Sequence, residues 1–435
     1  MAEYDAYKDS GFEWLGAVPT SWPMVLLSQA VTQVKNKNTD LQEQNLLSLS
    51  YGRIKRKPID ASGGLLPESF DGYNIIEAND IVLRLTDLQN DHRSLRVGLS
   101  PERGIITSAY TTLRPRNQRG AKYLYYLLHT FDIRKGFYGM GSGVRQGLNY
   151  DEVKKLKLPL PTTAEQIAIA DYLDRETEHI DAIIAEATAS IEEYKAWKAS
   201  IIYEAVTKGL DPNAEMKDSG IEWVGRIPRD WDVMKLKNIV TYVESGVSVN
   251  ASQSAAAEEK IGVLKTSSVS KYCFRPEENK EVNADELDRV SCPVKGNTII
   301  VSRMNTPELV GACGYVERDI PNLYLPDRLW QVHFSDTVVV KYVWYYLSSN
   351  YIRSYYASLS SGTSSSMQNI SQGQFGNAYF LFPPKNTQQQ IADSLDERCE
   401  TIEAIIVEKE NLIADLESYK KSLIFEVVTG KRKVV

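Results

Sequence analysis

The chain has 435 residues, 43% apolar and 25% charged, and a net charge of −7. That balance excludes disorder over most of its length. No run approaches the ~18 consecutive apolar residues of a membrane-spanning helix. The opening MAEYDAYKDSGFEW has no basic stretch followed by an apolar one, so no secretory signal is expected. Cys273, Cys292, Cys313 and Cys399 form no CxxC pair and read as free thiols of a cytosolic chain. Of the histidines, His92, His129, His179 and His333, none stands at a metal-ligand spacing to a cysteine.

In chain order, residues 8–22 read KDSGFEWLGAVPTSW, a block that returns below. Residues 29–160 then hold 20 basic residues against 13 acidic. Short β-type runs such as Asp80–Leu85, bounded by turn residues, and a short amphipathic helix at Tyr123–Thr130 predict an α+β globule. Arg84, Arg93, Arg96, Arg103, Arg114, Arg116 and Arg119 crowd one part of it. Arginine suits bidentate contacts with guanine and with phosphate. The stretch YGRIKRK at 51–57 adds cations beside a tyrosine, which makes Ser50, Tyr51, Arg53 and Lys55 candidate contacts. The glycine-bearing loop 141–146 adds Arg145 and Gln146.

Residues 162–207 are rich in Ala, Glu, Ile and Lys and lack internal Pro and Gly, which predicts one long helix. Pro161 and Thr162 open it and Gly209 closes it. Leu173, Ile180, Ile184, Ile191 and Ile201 lie on a heptad seam with polar interruptions. The helix is acidic, with 10 acidic against 4 basic residues over 162–209.

Residues 217–231, KDSGIEWVGRIPRDW, repeat the first block at an offset of 209. A second region, 232–382, is nearly neutral, with 14 basic and 15 acidic residues. It aligns poorly with the first region but predicts another α+β globule, with a β-type run at Thr298–Ser302 and a helix at Tyr342–Leu347. Its candidate contacts are Lys265, Ser267, Ser268, Arg303, Asn305, Arg328 and the hydroxyl- and amide-rich stretch 360–369 with Ser365, Gln368 and Asn369. Residues 385–429 repeat the long helix at an offset of 222: IADYLDRETEHIDAII at 169–184 returns as IADSLDERCETIEAII at 391–406. Leu395, Ile402, Ile406, Ile413 and Leu423 form its seam, and Gly430 closes it. Each long helix supplies a partner for the other, which predicts an intramolecular antiparallel coiled coil and a pseudo-two-fold tandem repeat. Such symmetry matches that of a duplex backbone, with the helices as a ruler between two unlike half-sites.

No GxxxxGK[ST] phosphate loop, dinucleotide-binding turn, amino-methyltransferase motif or nuclease carboxylate–lysine cluster occurs. Three readings stand: a DNA-reading chain without chemistry of its own, a protein-binding adaptor or a degenerate DNA reader with no target, and a complete modification enzyme in one chain. A chain of this length without a cofactor motif has no room for the third.

The doubled KDSGxEWxGxxPxxW block resembles the start of specificity subunits of type I restriction–modification systems. The helices opening PTTAEQIAIADYLDRET and PKNTQQQIADSLDERCE are similar to that family's, as are their ends EAVTKG and EVVTGK. The resemblance covers nearly the whole chain. It implies target recognition domains at 1–160 and 211–383, and conserved spacer helices at 161–210 and 384–435. It implies a cytoplasmic, non-catalytic subunit that reads a bipartite, asymmetric site in double-stranded DNA, without a metal or cofactor of its own. It also implies partners: two methyltransferase subunits carrying S-adenosylmethionine, and motor–nuclease subunits using ATP and Mg2+. Asn79–Arg84 and Gly296–Arg303 are similar to the family's strand-and-arginine segments. Ser142–Asn149 and Ser361–Ile370 are similar to its paired loops, which adds Asn149 to the candidates.

Overall fold

The computed structural model describes residues 3–58, 69–88, 91, 94–140, 147–364 and 367–434. The chain divides into two compact units. The first comprises residues 1–188 with 410–435, and the second residues 189–409. Each long helix contributes one part to each unit.

Both units are built on a four-stranded antiparallel sheet. In the first its order is Val31–Gln33, Thr111–Pro115, Ile81–Leu83, Val97–Leu99. In the second it is Val240–Ser245, Leu329–Phe334, Thr298–Ser302, Cys313–Val316. The two regions that align poorly in sequence therefore share one sheet order. Both β-type runs are observed, as Ile81–Leu83 and Thr298–Ser302, and every residue of each is buried. Unbroken apolar runs suit strands covered on both faces.

The helices Ala121–Ile133 and Val340–Ser348 cover these sheets. Tyr123, Leu124, Leu127, Leu128 and Phe131 recur at helical spacing and are buried in the first unit's core. In the second unit Tyr342, Val343, Tyr346 and Leu347 do the same.

The long helices run Thr163–Lys208 and Lys385–Val428. Thr162 and Glu165 form a capping box: the Glu165 amide donates to Thr162 Oγ1 and the Thr162 amide to Glu165 Oε2. Within each unit the two helices run antiparallel. In the first, Lys420 donates to both oxygens of Asp181 at 2.6 and 2.7 Å, and Arg432 lies over Tyr172. In the second, Lys198 pairs with Glu403 and Lys409 lies beside Tyr194. The lysines that interrupt the apolar seam thus bridge the helices. Leu173, Ile180, Ile191, Ile201, Leu395, Ile402 and Leu423 are buried, and Ile184, Ile406 and Ile413 half-buried.

The doubled block folds the same way twice. Tyr7–Asp9 pairs with Ala17–Pro19, and Met216–Asp218 with Arg226–Pro228. The Gly11 amide donates to Asp9 Oδ1 at 3.0 Å, and the Gly220 amide to Asp218 Oδ1 at 2.9 Å. The blocks' last tryptophans, Trp22 and Trp231, are buried. Gly430 packs on Pro19 and Trp22 in the first unit, and Gly209 on Pro228 and Trp231 in the second. Each block therefore receives the end of a long helix, which is the physical use of its repetition.

Candidate nucleic-acid interface

In the first unit, the strands Leu47–Ser50 and Arg53–Arg56 form a hairpin closed by Tyr51 and Gly52. Both central residues have positive φ, 47° and 76°, the two-residue turn that matches strand twist. The turn lifts Tyr51 to 78% exposure, and the Arg53 side chain is 74% exposed. Arg53 also lies 3.8 Å from Asp181. Lys55 is exposed and Ser50 half-buried. One edge of this unit therefore presents an aromatic ring and two cations, groups that stack on bases or meet phosphates.

The next candidate follows the strand Ile81–Leu83. Arg84 is 31% exposed and stands 3.5 Å from Asp91. Asn149 is exposed and caps the short helix Tyr150–Val153, accepting the Glu152 amide at 3.1 Å. Arg93, Arg145, Gln146 and Ser365 lie outside the described residues.

Two candidates are corrected. Arg96 is fully buried, because its guanidinium donates to the carbonyls of Arg84, Thr86, Asp87 and Asp91 and to the Tyr138 hydroxyl. It has neither exposure nor donors left for DNA. Ser268 is also fully buried, in the 3-10 turn Thr266–Val269. Other members of the arginine run are engaged internally. Arg114 forms a bidentate pair with the buried Asp80 at 2.8 and 2.7 Å, and Arg103 meets Glu43 and Glu77.

In the second unit, Arg303 follows the strand Thr298–Ser302, as Arg84 follows Ile81–Leu83. The Arg303 amide donates to the Arg328 carbonyl at 3.1 Å, and its own carbonyl accepts from Ile370 at 3.0 Å. Met304–Asn305, Met367–Asn369 and Ser361–Ser364 form a small sheet that pairs Met304 with Asn369 and Asn305 with Gln368. Arg303, Asn305, Arg328, Gln368 and Asn369 are thus brought together from three segments. Arg328 is exposed and the other four half-buried. Lys265 and Ser267 face Glu278 instead, at 3.8 and 2.6 Å.

One repeated contact was not anticipated from the sequence. Lys122 and Tyr126 clasp Asp174 of the first long helix, and Lys341 and Tyr345 clasp Asp396 of the second. The recurrence of K-Y-x-x-Y at 122–126 and 341–345 is its sequence signal. Burial and the neighbouring aspartate push both the Tyr126 and Tyr345 hydroxyls well above the usual tyrosine range. They remain donors to the carboxylates at neutral pH.

Among the described residues no group of three or more His, Cys, Asp or Glu could hold a metal ion. No described helix is long and apolar enough to cross a membrane.

The model of the type I restriction modification DNA specificity domain matches residues 29–193 and 228–414. The MjaVIII specificity subunit of Methanocaldococcus jannaschii is 24% identical over 435 residues, covering 98% of this chain and 97% of that one. The EcoEI specificity subunit of Escherichia coli is 27% identical over 202 residues, 46% of this chain and only 34% of that relative's length. A solved chain of a type I R-M system, from work on complex assembly and conformational transition, superposes with a TM-score of 0.66. It is 14% identical, over 94% of this chain and 98% of that chain. The HsdS subunit from Thermoanaerobacter tengcongensis gives a TM-score of 0.50 at 14% identity, over 95% and 98%. The doubled framework and the match across both halves place the chain in the family of type I restriction–modification DNA specificity subunits.

Proposed function

We propose that this chain reads a bipartite, asymmetric DNA site, one half with each target recognition domain, 1–160 and 211–383. In this reading the spacer helices at 161–210 and 384–435 set the separation of the halves. The carrying observation is that two units of one sheet order display different groups after the equivalent strand. Arg84 belongs to the unit that carries the exposed Tyr51 hairpin, whereas Arg303 stands beside an amide-rich sheet edge. The same frame with unlike chemistry suits two unlike half-sites.

Tyr51, Arg53, Lys55, Arg84 and Asn149 are the contacts proposed for one half. Arg303, Asn305, Arg328, Gln368 and Asn369 are those proposed for the other, with Lys265 and Ser267 at its margin. The chain performs no chemistry itself. It scaffolds two methyltransferase subunits, which carry S-adenosylmethionine, and motor–nuclease subunits that use ATP and Mg2+. The complex works in the cytoplasm.

The test is co-expression with the neighbouring methyltransferase genes, followed by mapping of methylated adenines across a genome. The expected result is one motif with two defined halves, an unspecified spacer and one methylated adenine per half. A stable complex that methylates no motif, and whose DNA binding does not weaken with salt, would instead indicate the adaptor.

A further inference from the structure

The buried Arg96 has more to do than fill space. The segment after the strand Ile81–Leu83 makes few ladder bonds, yet each carbonyl from Arg84 to Asp87 is engaged. The Arg96 Nη1 group donates to Arg84 O at 3.2 Å and Thr86 O at 2.7 Å. Its Nη2 group donates to Asp87 O at 3.2 Å and Asp91 O at 2.6 Å. The remaining carbonyl, Leu85 O, accepts the Leu148 amide at 2.9 Å, next to Asn149. Arg96 Nε donates to the Tyr138 hydroxyl at 3.0 Å, and that hydroxyl donates to Asp91 O at 3.1 Å. The Arg96 amide donates to Asp132 Oδ2 at 2.6 Å, which ties the network to the helix Ala121–Ile133.

No carboxylate takes this guanidinium in any of these bonds. A buried cation spends its donors on loop backbone, an arrangement that costs desolvation and gains a fixed loop. The planar fork of arginine can satisfy several carbonyls at set positions, whereas a lysine offers three donors on a flexible stem. The second unit holds its equivalent segment differently. Met304–Asn305 is paired in a three-stranded ladder, so backbone bonds do there what one side chain does here.

We propose that Arg96 is the positioning residue of the first half-site: it fixes residues 84–87 and 91, Arg84 among them, in the conformation that discriminates bases. The proposal rests on the DNA-reading function above. It assigns Arg96 no contact with DNA.

The test compares wild type, Arg96→Lys and Arg96→Met, each co-expressed as the full chain with its methyltransferase partners. Methylated motifs are mapped, and amide exchange is followed in the purified complexes. The expected result is faster exchange over 84–87 and at 91, and a roughly tenfold or larger loss of preference for the correct base within the first half, the scale of one lost base contact. Selectivity in the second half should stay unchanged, which serves as the internal control. Arg96→Lys guards against the case in which Arg96→Met does not fold. A folded variant with both halves as selective as wild type would overturn the proposal. So would a uniform loss of methylation in both variants with the motif intact, since that marks a purely structural arginine. If the wild-type complex itself shows no bipartite motif, the DNA-reading function fails first and the positioning role falls with it.

Discussion

Arg84 follows one strand and Arg96 precedes its neighbour, and the two are joined by the bond from the Arg84 amide to the Arg96 carbonyl. One is half-open to solvent and the other wholly buried. Nothing in a run of arginines separates these fates, because a charge cluster carries no periodicity. The sequence therefore marks the region but not the residue. Burial also governs two titratable neighbours. His129 is pushed down to about 4, chiefly by burial and then by Lys420, and Asp132 is pushed up to about 6, chiefly by burial. The depressed histidine contributes stability that is complete above its ordinary value near 6.5 and is lost as pH falls through about 4. The raised aspartate does the reverse: its contribution is complete below about 3.8 and is lost as pH rises through about 6. The two oppose each other between pH 4 and 6. Asp132→Asn removes one of them, so the stability of the variant should climb more steeply with pH in that window. Denaturant titrations from pH 4 to 7 check this, and parallel curves for variant and wild type would count against it.

Among elements, the long helices were legible almost to their ends, because apolar spacing, a capping threonine and a closing glycine all agree. The lysines among the seam's polar interruptions are cross-helix partners, a pairing that depends on the facing helix. The short strands were legible only where apolar runs were unbroken, as at Thr298–Ser302. Three-residue strands such as Val31–Gln33 and Val97–Leu99 are too short for alternation to show, and this is why the shared sheet order was hidden. The clasp on Asp174 and Asp396 was equally hidden, since its partners are far apart in sequence. The helix ends give a graded prediction. Gly430 and Gly209 have φ of 73° and 77°, where a β-carbon costs about 1 kcal/mol. At Gly209 that carbon would lie 3.3 Å from Trp231, a tight contact that a small shift of the ring relieves, whereas at Gly430 it would run into the Pro19 ring. Gly430→Ala should therefore lower the melting temperature more than Gly209→Ala. Equal shifts would show that the blocks do not seat the helix ends as described.

For the whole molecule, the repeat was the most informative feature. The doubled block and doubled helix carry both the architecture and the resemblance to the family. They do not reveal the contacts proposed above, because those residues are assembled from segments that differ between the units. Arg303, Asn305 and Gln368 meet through a sheet that has no counterpart in the hairpin of Tyr51. The central claim is that each unit reads its own half of one site. It is tested most directly by replacing residues 217–383 with the corresponding region of another specificity subunit and mapping methylated adenines of the co-expressed complex. The account predicts that one half of the motif changes while the other half, and the spacer between them, stay as they were. A change in both halves, or in neither, would contradict it.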